Sequence, residues 1–298
     1  MIENRLKNVK VTVKAPATSA NLGGGFDCLG LALKLYHTVS IKPSEVTTVN
    51  GSTDIESNLI YKAANAVLSR AGMAGAAVEV TSVSDVPRAS GLGSSAACIV
   101  GGATAANALL AFPLPDEELA EICTALDGHP DNVLPALYGG ITAGVICEDG
   151  KIEFVRADVS DKIKVAVATP DFPLKTENAR KALPSSYSRA DCVYSLSRAV
   201  LAFAALSSGE TDKIKFMGDK LHEPYRIPLI KDFDKVKSAF LGDGALNVCV
   251  SGSGPSAIAF YPKGAKINAY LPDGWTLRTP EIENGRVWVR VEDIVVRD

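Results

Sequence analysis

Basic residues are not in excess in this chain: 31 Lys and Arg stand against 34 Asp and Glu, a net charge of −3 with histidine neutral. A protein that wraps nucleic acid or lies on an anionic bilayer draws its affinity from a basic excess or basic runs, so neither partner is expected. Cysteine offers no framework. Cys28, Cys98, Cys123, Cys147, Cys192 and Cys249 lie 24 or more residues apart, with no C-x-x-C pair and no Cys-His cluster at metal spacing; they read as reduced, mostly buried thiols. The N-terminal MIENRLKNVK lacks the apolar core of an export signal, and a cytoplasmic protein is expected. Long hydrophobic runs are missing too. The uncharged stretch from Ala89 to Pro115 has an apolar core of about 17 residues that includes Thr104 and Asn107, short of the roughly 20 that span a bilayer, so a buried helix is expected. What remains is 298 residues at 47% hydrophobic and 22% charged, enough to bury about 75% of the unfolded surface in one large domain or two smaller ones.

Val9, Val11 and Val13 alternate with polar residues, as do Leu31, Leu33, Leu35, Val39 and Ile41, the period-2 mark of half-buried strands. APATSANLGGGFDCLG between them is expected as a long loop. Ile60, Ala63, Ala64, Val67 and Leu68 follow helical spacing, with Ser57 as N-cap and Gly72 as stop. A strand over 76–83 comes next, then a helix over 93–111, then one starting at Pro115 with Asp116, Glu117 and Glu118 in its first turn, where the helix dipole favours acids. Asp149-Gly150 between strand-like runs is a hairpin signal. Helices over 176–183 and 188–206 and strands near 245–250, 256–261, 275–280 and 286–291 follow. Strands in clusters, without regular βαβα alternation, predict an α+β fold.

The strongest chemical signal is Pro87-Arg88-Ala89-Ser90-Gly91-Leu92-Gly93-Ser94-Ser95-Ala96-Ala97, a glycine- and serine-rich loop feeding a small-residue helix. Bare backbone N–H groups at a helix N-terminus form a nest for an anion, and phosphate is the natural guest. A dinucleotide fingerprint needs a strand running directly into the first glycine, and here Ser84-Asp85-Val86-Pro87 intervenes; a Walker loop needs a Gly-Lys-Ser/Thr ending that is absent. Gly252-Ser253-Gly254-Pro255-Ser256-Ala257 repeats the glycine spacing ahead of a strand. Asn21-Leu22-Gly23-Gly24-Gly25-Phe26-Asp27 sets an amide and a carboxylate across a turn, and Gly128-His129-Pro130-Asp131-Asn132 gathers polar groups before an apolar run.

Together these segments resemble the GHMP small-molecule kinases, most closely the homoserine kinases among them. PATSANLGGGFDCLG is similar to the family's first motif, PRASGLGSSAA to its phosphate-binding second motif and SGSGPSA to its third, while GHPDNVLPALYGG, TENARKALP and HEPYR resemble segments peculiar to homoserine kinases. The likeness runs in order over nearly the whole chain. Gly24 departs from it, standing where the family usually has proline, which loosens the first loop without removing a functional group.

The resemblance implies an N-terminal mixed β/α domain over 1–157 and a C-terminal ferredoxin-like α/β sandwich over 158–298, with the site in the cleft between. It implies ATP-dependent phosphorylation of the hydroxyl of L-homoserine on the route to threonine, and a homodimer. Homoserine is a zwitterion with a hydroxyl tail, so the site needs a cation, an acid and a polar group. Arg180 and Arg226 supply guanidinium forks, Asp27 and Asp131 face the ammonium, and Asn21, His129 and Thr176 match family positions lining the substrate. Residues 87–97 and Asn58 match nucleotide contacts, although Asn58 could equally cap the first helix and His129 the helix after it. Related kinases use an acid at the position of Asp131 to draw off the hydroxyl proton, whereas homoserine kinases are thought to manage without a true base, Asn132 orienting the hydroxyl. Mg²⁺ is implied on a hydroxyl of Ser94 or Ser95 and on an acid that is either Glu121 or Asp127. His37 and His222 are read as structural. The rival expectations are another GHMP kinase, of mevalonate or shikimate type, and a non-catalytic binding protein of the same fold.

Overall fold

The computed structural model describes residues 5–294. Strands β1 (Val9–Asn21) and β2 (Gly25–Pro43) form a long antiparallel hairpin turned by residues 22–24. The segment from 15 to 30, expected as a loop, is therefore mostly strand. Residues 15–21 are buried without a break, and a strand covered on both faces loses the apolar-polar alternation by which strands are read. After β3 (Thr48–Val49), helix α1 (Leu59–Arg70) starts at Asn58, whose Oδ1 accepts from the backbone N–H of Ile60 (2.9 Å) and Tyr61 (3.2 Å). Asn58, not Ser57, is the N-cap. β4 (Val78–Ser84), α2 (Ser94–Leu109), α3 (Asp116–Asp127), α4 (Pro130–Tyr138), β5 (Ile141–Ile146) and β6 (Ile152–Ala157) complete the first lobe. Val11, Val13, Val39 and Ile41 pack there against Val67, Ile99 and Val100 in one core.

The second lobe runs through β7 (Ile163–Pro170), α5 (Thr176–Lys181), α6 (Arg189–Ser208), α7 (Thr211–Ile214), α8 (Glu223–Arg226), α9 (Phe233–Gly242), β8 (Asn247–Val250), β9 (Ala257–Pro262) and β10 (Trp275–Arg278). Its four antiparallel strands lie in the order β10-β7-β9-β8. One face carries α9 through Val236 and Phe240. The other shares a core with the first lobe, where Leu31 and Leu33 of β2 meet Leu206, Ile258 and Phe260. The last strand, β11 (Trp288–Asp293), crosses back to pair with β1, giving the seven-stranded order β11-β1-β2-β4-β3 with β5 and β6 branching from β2. The tail grouped above with 158–298 thus lies on the first sheet. Among the described helices, α6 is the one long and apolar enough by length and composition to cross a membrane; its Ser195 is fully buried and its first half packs on the turn between β1 and β2.

Candidate active site

A cleft of about 290 Å³ opens between the lobes, and the three loops read from the sequence meet in its floor. Thr18 of β1 donates its backbone N–H to the Leu92 carbonyl (3.1 Å), and Gly252 donates to Ala20 (3.1 Å). Ser251 Oγ donates to the Gly91 carbonyl at 2.8 Å, and Asn21 Nδ2 to the Gly252 carbonyl at 2.7 Å. Each loop is held by the other two.

At one end, α2 begins at Ser94 behind Gly93, and Ala97 is the first residue whose N–H bonds back along the helix, to the Gly93 carbonyl (2.9 Å). The N–H groups of Ser94, Ser95 and Ala96, all in the cleft lining, lack intrahelical acceptors and sit at the positive end of the helix dipole. Gly93 is left-handed (φ +65°), and a Cβ there would meet Thr18 Oγ1 at 1.9 Å. That Oγ1 donates to Asn132 Oδ1 (2.8 Å), so the loop, β1 and α4 interlock at one point. Burial raises the carboxyl of Asp127, the last residue of α3, and the Ser95 hydroxyl and His129 pull it partly back. Glu121 lies outside the cleft lining, where its charge acts on Arg70 and Lys151.

At the other end side chains carry the charge. Arg180 of α5 grips Asp27 with both terminal nitrogens, Nη1 to Oδ2 at 3.2 Å and Nη2 to Oδ1 at 2.9 Å. Nη2 also reaches His129 Nε2 (2.9 Å); a guanidinium only donates, so this ring nitrogen accepts and the proton sits on Nδ1. Burial holds His129 below its ordinary value, with Asp27 opposing. Arg226 of α8 is 1% exposed; its Nη1 donates to the Gly252 carbonyl (3.1 Å) and its buried Nε has no partner among the described residues. Asp131, 4% exposed, is pushed up to about 7 by burial first and then by the negative charges of Asp27 and Asp127. Asn132 Nδ2 donates to it at 3.3 Å. Thr176 Oγ1 lies 3.2 Å from Ser253 Oγ.

Asn21, Asp27, His129, Asp131, Asn132, Thr176, Arg180 and Arg226 therefore line one cleft, with Ala89, Ser90, Gly91, Gly93, Ser94, Ser95, Ala96 and Asp127. Asn58, Pro87, Arg88, Leu92 and Ala97 do not. Leu92 and Ala97 are fully buried under the loop, Arg88 is exposed, and Asn58 is occupied as a cap. Leu174 joins the lining with no signal in the sequence, Gly252 and Ser253 reach it from the third motif, and Thr18, inside the first motif, stands behind it against Asn132. Gly24 is not a loosening of that motif: a Cβ there would lie 2.3 Å from the Ser195 carbonyl of α6. The residue without a side chain lets α6 close on the turn.

Two family models match: the GHMP kinases N terminal domain over residues 58–140 and the GHMP kinases C terminal over 201–271. A homoserine kinase of Caldicellulosiruptor saccharolyticus is 41% identical over 257 residues, 84% of this chain and 83% of that protein. One of Clostridium acetobutylicum is 39% identical over 291 residues, 92% of this chain and 97% of its own. The crystal structure of a homoserine kinase from Cytophaga hutchinsonii superposes with a TM-score of 0.82 at 28% identity, covering 96% of this chain and 98% of that one.

Proposed function

This chain belongs to the GHMP kinase family, and from that premise we propose that it transfers the γ-phosphoryl group of ATP to the hydroxyl of L-homoserine, giving O-phospho-L-homoserine and ADP on the route to threonine. The observation that carries the substrate assignment is the Asp27–Arg180 pair beside buried Arg226. A zwitterion has no net charge and neither has that pair. Its carboxylate can take Arg180 and Arg226 while its ammonium takes Asp27 and Asp131, so two charges are re-partnered and none is buried alone.

Phosphoryl transfer passes through a loose transition state, and catalysis is mainly positioning and charge stabilisation. The N–H groups of Ser94, Ser95 and Ala96 hold phosphate oxygens. Asn21, His129 and Thr176 shape the amino-acid end, while residues 87–97 and Asn58 serve the nucleotide, those outside the cleft by motif likeness alone. Asp131 and Asn132 orient the hydroxyl, Asn132 being fixed by Thr18; the proton leaves late, to phosphate. Ser95 and Asp127, both in the cleft lining, are a hard-oxygen pair of the kind Mg²⁺ prefers, with Ser94 beside them; Glu121, outside the lining and near Lys151, is not. Bound there, Mg²⁺ would neutralise charge developing on the phosphates. The lobes 1–157 and 158–298 act as the two walls, the tail strand returning to the first. The protein acts in the cytoplasm, and the apolar row Val193, Leu196 and Val200 on the exposed side of α6 supports a homodimer.

Coupled ADP release measured with homoserine, mevalonate, shikimate and galactose tests the reading. Turnover is expected with homoserine. Turnover only with a substrate lacking an amino group, or nucleotide binding with no transfer at all, overturns it.

A further inference from the structure

Phe26 and His222 lie outside the cleft lining, but they form its support at the amino-acid end. His222 caps α8, which carries Arg226 one turn on, and is fully buried. Its Nε2 lies 2.9 Å from the Gly23 carbonyl in the turn of the first motif. A carbonyl only accepts, so Nε2 carries the hydrogen and Nδ1 keeps a lone pair. That lone pair faces Arg226 Nη1 at 3.3 Å. The ring also stacks on Phe26 (centroids 5.4 Å apart, planes 22° apart), and Phe26 in turn lies beneath both guanidinium groups, 5.2 Å from Arg226 and 5.9 Å from Arg180. Asp219 fixes the backbone below. It accepts from the N–H groups of Leu221 (2.9 Å), His222 (2.6 Å) and Glu223 (2.8 Å) and from Ser195 Oγ of α6 (3.0 Å).

We propose that His222 is a positioning residue that presets the Arg226 guanidinium for the substrate carboxylate, and does so as the neutral Nε2–H tautomer. The proposal rests on the homoserine kinase reading above. A merely space-filling ring would not need both nitrogens matched, one to the first motif and one, through Arg226, to the Gly252 carbonyl of the third. Neutrality matters, because a proton on Nδ1 would point at the guanidinium. Burial pushes the imidazole down and Arg226 adds to this, while Asp219, 3.7 Å from Nε2, the Gly23 carbonyl and Asp27 oppose it.

The test compares wild type with His222→Phe, which keeps the ring and loses both hydrogen bonds, and His222→Gln, which can restore a donor and an acceptor. KM and kcat for homoserine, KM for ATP, and the inhibition constant of 3-aminopropan-1-ol, which is homoserine without its carboxylate, are measured for each. Loss of an acceptor beside a buried charge predicts that His222→Phe raises the homoserine KM by about 10-fold or more. ATP KM, kcat and the inhibition constant are expected to move less than about 3-fold, and His222→Gln to recover part of the loss. Equal losses for homoserine and the carboxylate-free inhibitor, or an unchanged homoserine KM, overturn the proposal. Should His222→Phe fail to fold, ¹⁵N NMR of the wild-type imidazole decides: the Nε2–H form at pH 7 with an Nδ1 shift on homoserine binding supports it, and an Nδ1–H or charged ring overturns it. Wild type inactive on homoserine is a different failure, that of the functional reading.

Discussion

At the α2 end of the cleft, Gly93, Ser94, Ser95 and Ala96 offer backbone N–H groups, and the one cation between residues 87 and 97, Arg88, is exposed and outside the lining. At the α5–α8 end, Asp27, Arg180, His129, Arg226 and Asp131 meet through side chains. Both ends have to hold charge. The first does so with dipoles fixed by the fold, so its weakness is added volume; the second does so with paired ions, so its weakness is a changed charge. A chain with net charge −3 can hold a polyanion because main-chain amides and a helix dipole need no lysine.

The sharpest break of this comparison is Gly93→Val, which alters no charge. The new Cβ would sit 1.9 Å from Thr18 Oγ1 in a left-handed backbone, and the Thr18–Asn132 bond that fixes α4 would be lost with it. A misplacement of about 1 Å is enough to cost ~100-fold, so kcat/KM for ATP is expected to fall by at least that much. Calorimetry should show ATP affinity falling as well. Wild-type ATP affinity in the variant would mean that the loop is not the phosphate seat.

Asp131→Asn sharpens the other end, because it changes charge at nearly constant volume. With its carboxyl pushed up to about 7, ionised Asp131 accumulates as pH rises through neutrality. The wild-type kcat/KM for homoserine should rise over the same range, and this limb should vanish in the variant, with turnover lower by ~100-fold. Near-normal turnover at saturating homoserine would remove Asp131 from the chemical step. Stability has the opposite sign. A carboxyl raised above its ordinary value near 4 binds its proton more tightly in the fold, so it lowers stability progressively as pH climbs from about 4 to about 7. Glu223, buried and also raised to about 7 chiefly by desolvation, contributes a second decline that Asp131→Asn should leave in place.

Much of this was legible in the sequence, and the failures share a cause. Helix α1 showed its apolar stripe, α3 its acidic first turn and the β5–β6 hairpin its Asp-Gly, because each has a local period or turn signal. The stretch 15–21 failed because helices and strands cover both its faces. β11 was expected as a strand, but its pairing with β1 joins residues at opposite ends of the chain, and no local pattern encodes that partner. In the site, motif likeness marked residues that face the cleft. It gave no role to Thr18, Phe26 and Asp219 and read His222 only as structural; these four hold those residues from behind, through contacts that no motif spells out. Glu121 and Asp127 lie on one helix, and only its orientation shows that one faces Ser95 and the other Lys151.

The smallest expected effect separates the two ends most cleanly. Arg88→Ala removes the loop's sole cation and takes the net charge from −3 to −4, yet the side chain stands in solvent, where its field is screened within about 8 Å at physiological salt. The groups on which that charge registers are His37, which burial pushes down and Arg88 pushes down further, and Cys98, which burial raises and Arg88 partly pulls back, and neither lines the cleft. ATP KM is therefore expected to change by less than about 3-fold, in keeping with the small worth of exposed charges. Its salt dependence should match wild type. A loss greater than that of Gly93→Val would mean that a side-chain cation, rather than the amides of α2, holds the phosphates, and the contrast between the two ends would collapse.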